Sequence, residues 1–86
     1  MADLRQKVQR GKKALEILED ETMAAAFAAL EERYTNDWKT SKIDDVVKRD
    51  RAYANMSVLQ DFKDQLQSFV DSAKIASKQL ERDKSI

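Results

Sequence analysis

The chain has 86 residues, 16 basic and 16 acidic side chains that cancel, one glycine, and no histidine, cysteine or proline. Without cysteine or histidine there is no disulfide, no thiolate or imidazole metal ligand and no imidazole base, so most catalytic constellations are excluded and no enzyme activity, metal or other cofactor is expected. A domain this short buries a small share of its surface, which makes self-association or a partner surface an expectation. Eleven alanines and many Glu, Lys, Arg and Gln predict an all-α chain.

The opening stretch, "MADLRQKVQRGKK", is charged where a signal peptide is apolar, and the longest apolar run, "MAAAFAAL", is too short to span a bilayer; both predict a soluble, cytoplasmic origin with no membrane partner. In this first segment Leu4, Val8, Gly11, Leu15 and Leu18 recur at spacings of 4, 3, 4 and 3, the stripe of a helix over about 2–19. Gly11 lies within the stripe at a helix cost of roughly 1 kcal/mol against alanine, so the helix weakens there or another backbone approaches closely. Arg5, Lys7, Arg10, Lys12 and Lys13 against Asp3 give residues 1–13 a net charge of +4. These cations form a solvated face, a mate for an acidic stretch of a neighbouring copy, or phosphate contacts.

"EDETM" interrupts the pattern, with Asp20 placed as an N-cap and Glu21 in the first turn of a second helix over about 21–40. Its apolar positions are Met23, Phe27, Leu30, Tyr34 and Trp38, and its alanines leave room for another helix to approach. Residues 16–37 carry seven acids against Arg33, a net of −6. Trp38 with Tyr34, Lys39 and Lys42 has the composition of a base-stacking platform, but its register with Phe27 and Leu30 reads as a hydrophobic plug at the helix end.

Ser41 followed by Asp44 reads as a capping box that opens a third helix over about 42–82. Its second half places Leu59, Phe62, Leu66, Phe69, Ala73, Ala76 and Leu80 at alternating spacings of 3 and 4, a heptad seam for a partner helix. Its first half follows Val46, Arg49, Tyr53 and Met56, so the buried face is expected to shift near Met56 and to meet a different partner. Some forty residues reach roughly 60 Å, more than two shorter helices cover, so the excess is expected to need another chain. Adjacent acids such as Asp44 and Asp45 point about 100° apart on a helix and do not chelate one ion.

The architecture expected is therefore a single all-α domain: a helical hairpin plus a long third helix with a heptad pattern, assembling with other chains. Leu15, Leu18, Phe27, Leu30, Tyr34 and Trp38 form its hairpin core or anchor. The order of "KKALEILED", "AAAFAALEERY", "DWKTSKIDD" and "AKIASKQLE" resembles small helical proteins of about 80 residues encoded in tailed bacteriophages and prophages near head and portal genes. That resemblance implies a setting: a non-enzymatic structural or assembly protein of a phage particle, binding copies of itself or a larger virion protein such as a portal or connector. It would be found in the virion and, during assembly, in the host cytoplasm. The alternatives are a nucleic-acid-binding packaging accessory and a small regulatory protein that binds a host protein.

Overall fold

The computed structural model describes residues 3–84 and consists of three α-helices, α1 (Leu4–Glu19), α2 (Glu21–Thr40) and α3 (Val46–Lys84), with no strand among the described residues. Asp3 starts α1: its carboxylate accepts from the Arg5 N–H at 3.4 Å, and its carbonyl accepts the first helical bond, from the Lys7 N–H at 3.1 Å. The expected first residue, Ala2, lies outside the described residues. Asp20 alone separates α1 from α2, in an extended conformation with its N–H donating to the Ile17 carbonyl at 3.3 Å.

The α2–α3 connection differs from the expected capping box. Ser41 finishes α2, its hydroxyl donating at 2.6 Å to the Trp38 carbonyl, while the Thr40 hydroxyl donates at 2.8 Å to the Asn36 carbonyl. The first satisfies one of the acceptors that a helix end leaves orphaned, and the second adds a bond to a carbonyl one turn back. Asp45 caps α3 instead: its Oδ1 accepts from the Lys48 N–H at 3.1 Å and its carbonyl from the Arg49 N–H at 3.1 Å. Helix α3 thus starts at Val46 rather than Lys42, because the Ser41 hydroxyl is already engaged with the preceding helix.

The chain divides into two compact units, residues 21–62 and residues 1–20 with 63–86. In the first, α2 and the first half of α3 form an antiparallel hairpin, since Trp38 meets Arg49, Thr35 meets Met56 and Phe27 meets Phe62, one number falling as the other rises. Phe27, Ala52 and Leu59 are buried there, and the Phe27 and Phe62 rings are tilted with centroids 5.8 Å apart. In the second unit α1 lies on the other half of α3, where Ala14, Leu66, Val70, Ala73 and Ala76 are buried. Gly11 is the close approach: a Cβ built on it would collide with the Ala73 Cβ and stand 2.8 Å from the Phe69 carbonyl oxygen.

The face of α3 that turns inward is continuous. Arg49, Met56, Lys63, Val70 and Ser77 alternate with Ala52, Leu59, Leu66, Ala73 and Leu80, each series advancing by seven, and all ten are buried or half-buried. The shift expected near Met56 is absent, because Ala52 rather than the 66% exposed Tyr53 points inward. The helices have 16 residues in α1, 20 in α2 and 39 in α3.

Candidate functional site

The core holds no buried polar or charged side chain among the described residues, so chemistry and recognition belong to the surface. The expected seam residues divide accordingly. Leu59, Leu66, Ala73 and Ala76 are buried, Phe69 and Leu80 are half-buried, and Phe62 is half-exposed on the flank of the seam. Phe69 is covered from one side by Arg10, whose guanidinium carbon is 5.5 Å from the ring centroid. Of the hairpin positions, Phe27 is buried, Leu18, Leu30 and Tyr34 are half-buried, and Leu15 and Trp38 are the open ones.

Trp38 sits in the last turns of α2 with 41% of its surface exposed and the Arg49 guanidinium 4.9 Å from its ring centroid. Part of the chain's own cover for the indole is thus a cation. Next to it the connection and the first turn of α3 expose Ile43 (89%), Val46 (59%) and Val47 (70%). Lys39, Lys42 and Lys48 and the acids Asp44, Asp45 and Asp50 are exposed along the same stretch. The end of this hairpin therefore presents four large apolar side chains among charges of both signs. Sequence periodicity could not single out Ile43 and Val47, because neither falls on an inward stripe; the signal present was two apolar residues in an otherwise polar connection.

No protein-family model, characterised protein or solved structure matches the chain. The geometry therefore carries the functional reading. The five N-terminal cations are all exposed. At 100° per residue they spread over about 220° of α1 and leave open the sector of Gly11, which packs on Ala73. Lys7 and Arg10 border a crevice with Ser68, Phe69 and Ser72, while Lys12 stands on the opposite wall of α1 beside Leu15 and Lys74.

A second surface lies where α1 meets α3. Val8, Leu15, Val70 and Ala73 line an apolar groove, with Lys12, Lys74, Lys78 and Glu81 along its edges. Lys74 and Lys78 were not among the expected contact residues; they lie one helical turn apart on the outer wall of the groove, a relation visible only once α1 is seen to dock on this half of α3.

Proposed function

We propose that this chain is a non-enzymatic assembly protein that acts by helix packing, with the end of the α2–α3 hairpin as its anchor on a larger protein. The observation that carries this reading is the apolar hairpin end, where Trp38, Ile43, Val46 and Val47 remain exposed around Arg49. Tryptophan and arginine are the side chains that most often dominate binding energy when a partner covers them, and full burial of each aliphatic neighbour adds roughly 1.5–3 kcal/mol. The setting proposed with it is a tailed-bacteriophage particle or its assembly intermediates, on the resemblance of the four sequence blocks to small phage helical proteins.

Mass spectrometry of particles purified from the strain that encodes the chain tests the setting: the chain is expected at a fixed ratio to a structural protein. Its absence from particles and from assembly intermediates would refute the virion reading. A Trp38→Ala, Ile43→Asp double variant is expected to keep the helix content of the wild type and to drop out of those particles.

A further inference from the structure

We infer that the groove between α1 and α3 is the receptor for a second copy of this chain, which inserts the outer face of its α2, so that copies associate head to tail. The inference rests on the reading of the chain as a helix-binding module and names a second copy as one of its partners. The groove is apolar along Val8, Leu15, Val70 and Ala73, and three of its four charged edge residues are the lysines 12, 74 and 78. It therefore calls for a slim helix flanked by carboxylates. Helix α2 presents one: Ala24, Ala25 and Ala28 are exposed on the face that also carries Glu21 before them and Glu32 after them. Small side chains let a helix backbone settle deep between two others, and the carboxylates then reach the lysines at the edges.

The lengths agree as well. From Val70 to Glu81 the α3 wall of the groove spans twelve residues, and so does the helix from Glu21 to Glu32, about 16 Å in each case. Groove and insert are different surfaces, so the contact is heterologous and each copy uses both, closing into a ring or extending as a filament.

Sedimentation velocity over a range of protein concentrations, combined with an exchange of charge, tests this. The wild type is expected to sediment as species larger than a monomer in about 0.1 M salt and to dissociate in about 1 M salt, where the screening length falls from about 10 Å to about 3 Å. Lys74→Glu with Lys78→Glu, and separately Glu21→Lys with Glu32→Lys, should each weaken association by about tenfold or more, because like charges then face each other. Mixing the two variants should restore it, since each retains the surface the other lacks. All four positions are exposed on helices, and circular dichroism checks that the variants stay folded; the single pair Lys74→Glu and Glu32→Lys repeats the exchange if either double variant does not. A wild type that stays monomeric at every concentration overturns the inference, as does association that the mixture fails to recover. Neither result touches the particle measurement, which addresses the anchoring role alone.

Discussion

At Gly11 the absence of a side chain is a packing requirement. Alanine there would add roughly 1 kcal/mol of helix propensity, but its methyl would collide with Ala73 and press on the Phe69 carbonyl. Overpacking of this kind costs about 1–3 kcal/mol, so Gly11→Ala is expected to lower the denaturant midpoint, with a loss that shrinks when Ala73 is changed to Gly in the same chain. Arg49 offers a second residue-scale expectation. The guanidinium over the Trp38 ring contributes about 0.5–1 kcal/mol, and Trp38 is the only tryptophan. Arg49→Ala should therefore shift the intrinsic fluorescence while changing stability by no more than about 1 kcal/mol.

Among the elements, the two candidate caps of α3 separate cleanly. Asp45→Ala removes the acceptor for the Lys48 N–H and is expected to cost about 1 kcal/mol in thermal denaturation. Asp44→Ala, in the connection four residues past Thr40 and two before Val46, should be within about 0.5 kcal/mol of the wild type. In the sequence, Ser41 with Asp44 has the spacing of a capping box, and nothing local reveals that the Ser41 hydroxyl turns back to Trp38. The three helices, the long final one and the Leu59, Leu66, Ala73, Leu80 series were legible because apolar residues recur there without competition. Ala52 and Ala14 were not, since the larger Tyr53 and Leu15 stand beside them and rank higher in hydropathy. One residue of difference turns a helix face by about 100°, so choosing the bigger neighbour rotates the predicted seam. Counting back by sevens from Leu59 reaches Ala52, and that count was the available signal. The groove edges at Lys74 and Lys78 stayed hidden for another reason: they acquire meaning only from α1, more than fifty residues earlier in the chain.

For the whole molecule, stability is small against the cost of a single large truncation. Leu59→Ala in one unit and Leu66→Ala in the other each remove a buried side chain at about 2–5 kcal/mol, comparable with the roughly 5 kcal/mol at the low end for small domains. Either variant is expected to be largely unfolded near 37 °C by circular dichroism. Among the described residues eight hydrophobic side chains are buried, and four of them are alanines: Ala14, Ala52, Ala73 and Ala76. In a library that randomises every position and selects for folded chains, these alanines and the lone glycine should therefore be intolerant sites alongside Leu59 and Leu66, while Ile43, Val47, Val58 and Ile75 accept almost any substitution. Selection for partner binding would bring restriction back at Ile43 and Val47 first. Comparing the two selections would sort the surface into what the chain keeps for itself and what it keeps for others.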